Sequence, residues 1–127
     1  MNVVDSSAWL AYFAGEANAS YFAPAIEDAD LLIVPSICIY EVFKVILRER
    51  GEDEALLLVA AMQQGKVVDL DGEMALEAAT LGSQEGLALA DSVIYATAKL
   101  SGAVLWTQDS HFAGKPGVRF ARKAKRA

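Results

Sequence analysis

The stretch LALADSVIYATAKLSGAVLWTQDSHFAGKPGV, residues 87–118, decides the fold class. Asp91 opens a pattern of apolar and small residues that predicts a helix over 91–101. Gly102 stops it, because glycine takes the left-handed turn at a helix end without strain. AVLWT at 103–107 then reads as a strand: a short continuous apolar run that closes on Thr107-Gln108-Asp109. A strand apolar on both faces, fed directly by a helix, belongs in a parallel sheet covered on both sides.

The same alternation runs through the rest of the chain. NVVD at 2–5 predicts a strand and SSAWLAYF at 6–13 a helix. Residues 20–29 predict a second helix with Ser20 as its cap. LLIV at 31–34 is a buried strand bounded by Asp30 and Pro35. Ser36 opens a helix that runs to Arg50 and stops at Gly51, and residues 52–64 form another, stopped by Gly65. KVVDL at 66–70 is a strand, 72–84 a helix, and VRF at 118–120 a last strand. In such sheets ligands bind beyond the carboxyl ends of the strands, so the residues that follow each apolar run are the ones to inspect.

Composition narrows the classes. With 127 residues, 54% of them hydrophobic, the chain has the length and apolar content for one domain with a core covered on two sides, which excludes intrinsic disorder over most of it. The most apolar run, LLIVPSICIYEVFKVIL, is interrupted by Pro35, Glu41 and Lys44, whereas a membrane span needs about 20 apolar residues. The N-terminus lacks the basic region of a secretion signal. Cys38 is the only cysteine, so neither an internal disulfide nor a cysteine zinc site is expected, and the expected compartment is the cytoplasm. The net charge is −6, unevenly spread: Lys115, Arg119, Arg122, Lys123, Lys125 and Arg126 follow Asp109 with no acid among them, while the remainder holds five basic residues against 17 acids. A basic end on an acidic body is read either as a solvated tail or as a phosphate contact beside an acidic site.

Three acids fall where the sheet rule looks for a site, and a fourth, Glu41, could reach it from a helix above. Asp5 follows the first strand, Asp109 the strand at 103–107, Asp91 heads the helix leading into that strand, and Glu41 lies a turn and a half into the long helix after the second strand. Clustered carboxylates resist full ionisation, and a hard divalent cation such as Mg²⁺ or Mn²⁺ removes that penalty. Such a centre activates water and stabilises charge on a phosphate during displacement. Each acid also has an ordinary reading. Asp5 and Asp91 fit as helix N-caps, Asp109 as a turn residue, and Glu41 as part of a solvated stripe with Lys44 and Arg48. Against the last, the rest of that helix is almost wholly apolar, and a widely buried helix keeps few polar positions.

Residues 87–118 closely resemble the C-terminal half of PIN-domain proteins of the VapC toxin type: an Asp opening an Ala-rich helix, a Gly, an apolar strand, then Thr-x-Asp-x-x-Phe. Here these are Asp91, Gly102, Val104 to Trp106, Thr107, Asp109 and Phe112. VVDSSAWLAYF resembles the family's first motif and IYEVFKVILR its second, so the resemblance covers nearly the whole chain. It implies a three-layer α/β/α sandwich with a central parallel sheet. It also implies one PIN-like nuclease domain over residues 1–127, with a short basic tail from about residue 121. The implied activity is Mg²⁺- or Mn²⁺-dependent hydrolysis of RNA phosphodiester bonds, by a homodimer whose site a cognate antitoxin blocks. By position, Asp5, Glu41, Asp91 and Asp109 would hold the metal. Thr107 and Ser6 would hydrogen-bond a carboxylate or a metal-bound water. Lys115, Arg119 and Arg122 are the candidate RNA contacts.

Two other readings are open. One is a PIN-like module that processes or binds RNA without being a toxin or without cleaving. The other is a phosphoacceptor receiver domain, suggested by Asp5 after the first strand and by Lys115-Pro116. A receiver, however, carries paired acids at its first strand and a full helix after its Lys-Pro, and only 11 residues follow Pro116 here. His111, the sole histidine, is expected to be a surface loop residue, Cys38 a buried small hydrophobe, and Trp9, Tyr12 and Phe13 core or dimer contacts rather than base-stacking platforms.

Overall fold

In the computed structural model, which describes residues 1–124, β1 (Asn2–Val4) pairs in parallel with β2 (Leu32–Pro35) on one side and with β4 (Val104–Thr107) on the other. The end of the basic tail, residues 125–127, lies outside the described residues. β3 (Lys66–Val68) joins β2, and β5 (Val118–Phe120) joins β4, giving a five-stranded all-parallel sheet in the order β3-β2-β1-β4-β5. It is flanked by six helices: α1 (Ser6–Phe13), α2 (Ala19–Ile26), α3 (Ser36–Arg50), α4 (Glu52–Met62), α5 (Gly72–Glu85) and α6 (Leu89–Leu100). This is the expected α/β/α arrangement.

Sequence explains the strand positions. Val3 and Val4 in β1 and all four residues of β2 are buried, as strands covered on both faces must be. The edge strands are short and carry exposed Lys66 and Arg119, charges that discourage pairing with another sheet. The connection from β4 to β5 has no α-helix. A 3-10 turn at Ser110–Phe112 and two glycines with positive φ, Gly114 and Gly117, return the chain in parallel within residues 108–117. Lys115-Pro116 therefore precedes the last strand instead of following it, and Lys115 pairs with Glu85 at 3.0 Å, which removes the basis of the receiver reading. Among the described residues, no helix is long and apolar enough to cross a membrane.

Several boundaries differ from those expected. The second helix starts at Ala19 with Asn18, not Ser20, in the cap position, and ends at Ile26. A 3-10 turn at Ala29–Leu31 follows, so the strand begins at Leu32 and Leu31 stays exposed. α4 and β3 stop two residues early. α3 is less buried than its composition suggests: Cys38, Val42 and Ile46 are its buried residues, while Tyr40 and Leu47 are exposed, as are Leu56 and Leu57 on α4. Cys38 is fully buried and Trp9 is core, as expected.

The difference that matters for function is in α6, which starts at Leu89, two residues before Asp91. Gly86, at φ +67°, ends α5, and the Leu87 amide bonds back to the Gly82 carbonyl at 3.0 Å. This tight reversal leaves Ala88 as the cap residue, its carbonyl accepting from the Ser92 amide at 2.9 Å. The start of α6 is then pressed against α5. An added Cβ at Gly82 would meet Ser92 Oγ at 2.1 Å and Ser92 Cβ at 2.9 Å. Gly82→Ala should therefore destabilise the protein by about 1–3 kcal/mol through overpacking, despite alanine's better helix propensity. Denaturant unfolding measures the loss, and a Gly82→Ala/Ser92→Gly double variant should recover part of it. No loss in the single variant would mean that α5 and α6 separate without penalty.

Candidate metal centre

β1 and β4 are adjacent, yet β1 leads to β2 on one side while β4 leads to β5 on the other. The chain reverses its direction of winding between them, and that crevice is where open parallel sheets bind ligands. Asp5 leaves the end of β1 and Thr107-Gln108-Asp109 the end of β4. The Asp5 amide donates to the Trp106 carbonyl at 3.0 Å, which ties the two ends together.

Asp5 does cap α1: Oδ1 accepts from the Ala8 amide at 3.0 Å and from Ser7 Oγ at 2.7 Å. Oδ2 accepts from the Thr107 hydroxyl. A carboxylate offers about four lone-pair sites, so three internal donors leave room for one more partner. Asp5 is only 3% exposed, and burial, the largest influence, raises its pKa from the ordinary 3.8 to about 6. The hydrogen bonds from Thr107, Ser7 and Ala8 oppose that rise, and the Asp109 charge adds to it. Thr107, fully buried, also accepts from the Asp109 amide at 2.9 Å and so joins the two acids. Asp109 heads the 3-10 turn, with Oδ1 accepting from the His111 amide at 2.9 Å.

Asp91 is the third residue of α6 rather than its cap. The positive end of the helix dipole favours a carboxylate there. Burial, first, and the Asp109 charge, next, nevertheless raise its pKa; His111 lowers it and Glu41 adds a smaller upward push. Glu41 comes in from α3, and its Oε1 accepts from Ser6 Oγ at 2.6 Å. Asp109 acts on both Asp5 and Asp91, and Glu41 acts on Asp91.

The tightest donor set differs from the expected one. Among the described residues, Asp91, Asp109 and His111 each present a ligand atom, and the three atoms lie within 4.8 Å of one another. His111 Nδ1 is 3.3 Å from Asp109 Oδ1 and 3.5 Å from Asp91 Oδ2. His111 is exposed on a surface turn, as expected, but it also faces two of the acids. The only signal was its position two residues after Asp109; its proximity to Asp91 comes from folding alone. Two carboxylates with an imidazole are a donor set that could hold a divalent ion.

The expected RNA contacts divide. Lys115 is engaged by Glu85, and the Arg119 guanidinium lies 5.1 Å from the Trp106 ring centroid. Arg122 and Lys123 line a cavity of about 580 Å³ together with Ser7, Asp109 and Ser110. Asn18 Nδ2 donates to Gln108 Oε1 at 2.7 Å and is 3.4 Å from the Arg122 carbonyl, which links that segment to the end of β4.

The sequence model of the PIN domain matches residues 3–118. Compared by sequence with curated proteins, the chain matches none. Solved structures that share the fold include the following three. A toxin–antitoxin complex from Klebsiella pneumoniae aligns at a TM-score of 0.79 with 23% identity, over 94% of this chain and 96% of that one. VapC20 of Mycobacterium tuberculosis, described as a toxin that cleaves the sarcin-ricin loop, aligns at 0.75 with 16% identity, over 98% and 100%. VapBC2 of Rickettsia felis, bound to promoter DNA, aligns at 0.69 with 13% identity, over 95% and 97%.

Proposed function

The chain belongs to the PIN domain family, and on that premise we propose that it is a Mg²⁺- or Mn²⁺-dependent ribonuclease, the toxin of a VapBC-type pair. The observation that supports this reading is the grouping of Asp91 and Asp109 with His111, each offering a ligand atom within 4.8 Å of the others, with Asp5 feeling the Asp109 charge and Asp91 the Glu41 charge. Asp91, Asp109 and Glu41 would hold the ion, with the one free lone-pair site of Asp5 completing the acidic set. When bound, the ion would supply Lewis acidity toward a phosphate oxygen and would ease deprotonation of the water that attacks phosphorus.

The chain's own residues do the rest. Thr107 fixes Asp5 and the Asp109 backbone to each other, and Ser6 aims the Glu41 carboxylate. The acidic body repels a polyanion. Arg122 and Lys123, in the cavity beside Asp109, would hold a neighbouring phosphate and offset that repulsion. Lys115 is a weaker candidate for this role because Glu85 neutralises it. Exposed Tyr40, Leu47, Leu56 and Leu57 on α3 and α4 offer apolar surface for protein partners, a cognate antitoxin or a second copy of the chain. The toxin assignment rests on the family together with neighbours that are themselves toxin–antitoxin proteins. We extend the nuclease domain over residues 1–127 and assign the protein to the cytoplasm.

Purified protein incubated with total RNA and Mn²⁺ should release discrete fragments, and a chelator should stop the reaction. Induction in a host lacking the partner should arrest growth, and the product of the neighbouring small reading frame should restore it. RNA binding without cleavage under every metal condition would overturn the nuclease reading. Cleavage without growth arrest would overturn only the toxin assignment.

A further inference from the structure

We propose that His111 is a direct ligand of the divalent ion held by Asp91 and Asp109, and that it shifts the site's preference from Mg²⁺ toward Mn²⁺. The proposal rests on the metal-centre reading above and goes beyond its all-carboxylate ligand set.

Two observations carry it. First, His111 Nδ1 lies 3.3 Å from Asp109 Oδ1 and 3.5 Å from Asp91 Oδ2. In an octahedral shell with bonds of about 2.1 Å, adjacent ligands sit about 3 Å apart and opposite ones about 4.2 Å. The three donors already stand close to the separations that one ion requires.

Second, the core holds the backbone that presents His111. The 3-10 turn is closed by the His111 amide on Asp109 Oδ1 and by the Phe112 amide on the Asp109 carbonyl at 3.1 Å. Phe112 is fully buried, and its ring centroid is 5.7 Å from that of Tyr95 on α6, one helical turn beyond Asp91. The turn bearing His111 and the helix bearing Asp91 are thus pinned to each other next to the site. The His111 side chain itself is 73% exposed, so small adjustments to meet an ion are not resisted by packing.

The consequence is selectivity. Mg²⁺ prefers oxygen donors and retained waters, whereas imidazole nitrogen favours the later first-row ions. A site of carboxylates alone would discriminate less between Mg²⁺ and Mn²⁺ than one with an imidazole in its shell. The competing role is that of an internal cation: a protonated His111 neutralises the two acids and must be displaced before a metal binds. The two roles predict opposite effects of removing the side chain.

The test is calorimetric titration of the intact protein with Mn²⁺ and with Mg²⁺ separately, for the native sequence, His111→Ala, His111→Gln and Asp91→Asn, with folding checked by circular dichroism. Ligation predicts that both His111 variants lose Mn²⁺ affinity by about tenfold or more and change Mg²⁺ affinity far less, so that the Mn²⁺/Mg²⁺ ratio falls. Cobalt-loaded native protein should also show a visible absorption band that His111→Ala alters. Unchanged or tighter Mn²⁺ binding in the His111 variants would overturn the proposal, the tighter result identifying the internal cation. Asp91→Asn separates the two readings. If it abolishes binding of both ions while the His111 variants bind normally, the metal centre stands and the His111 proposal falls. If it binds as the native chain does, the centre itself is wrong.

Discussion

Metal-free Asp5→Asn protein is expected to gain stability over the native chain as pH rises, by about 3 kcal/mol between pH 4 and pH 7.5. Asp5 is buried and its folded-state pKa is about 6, against an ordinary 3.8. Between those two values the folded state holds a proton that the unfolded chain releases, so stability falls with rising pH across that window. Below pH 3.8 both states are protonated and there is no penalty. Above pH 6 both are ionised and the penalty is complete, about 3 kcal/mol at 1.36 kcal/mol per pH unit. Asparagine has the same shape, accepts at one atom and carries no charge, so its contribution does not change with pH. Subtracting the variant's denaturation free energies from the native ones at each pH isolates Asp5 together with its coupling to Asp109. Mn²⁺ should relieve the penalty and stabilise the native protein more near pH 8 than near pH 5, an effect mostly lost in Asp5→Asn. A difference curve flat from pH 4 to pH 7.5 would mean that Asp5 is solvated or compensated in a way that its burial contradicts.

Asp91→Asn is expected to lower RNA cleavage in Mn²⁺ by more than about a hundredfold, since loss of even an outer-shell partner of a metal reduces activity by about 10–100-fold. Stability should change by about 1 kcal/mol or less. Asp91 is half-buried at the third position of a helix held by seven buried residues, Ser92 to Ala98, and its losses, the interactions with the helix dipole and with His111, are offset by relief of its burial and of the Asp109 charge. Glu41→Gln and Asp109→Asn should behave alike in cleavage. Single-turnover assays on purified, folded variants measure the effect. Near-normal cleavage by Asp91→Asn would break the claim that the acids act on one ion.

Asp5 was legible as an acid at a strand end and equally as a helix cap, and the cap found in the structure does not exclude the other role. Its Oδ1 caps α1, and Oδ2, which accepts from Thr107, keeps a lone pair without an internal donor. Capping and site-building both follow from a carboxylate placed where a central strand turns into a helix. Spacing could not show this, because it says nothing about which oxygen faces where. Asp91 shows another limit. Periodicity located its helix, but the start at Leu89 depends on the αL turn at Gly86 and on the contact between Gly82 and Ser92. Those are matters of helix–helix approach, invisible in a window of local sequence.

By itself the sequence determined which segments are strands and helices in a covered parallel sheet. Apolar periodicity and glycine stops are local properties of the chain, written within a dozen residues of each other. It also singled out Asp5 and Asp109 at strand ends, with Asp91 and Glu41 on helices, as candidate site acids and, through the motif order, the family. Only the tertiary structure decided the strand order that puts β1 beside β4, and hence the crevice where residues about a hundred positions apart share one site. Only it paired Lys115 with Glu85, taking that charge away from the basic end, and brought His111 within 3.5 Å of Asp91. The physical reason is the same in each case: electrostatic pairing and metal-ligand geometry depend on distance through space, and sequence separation does not encode that distance until the core has packed.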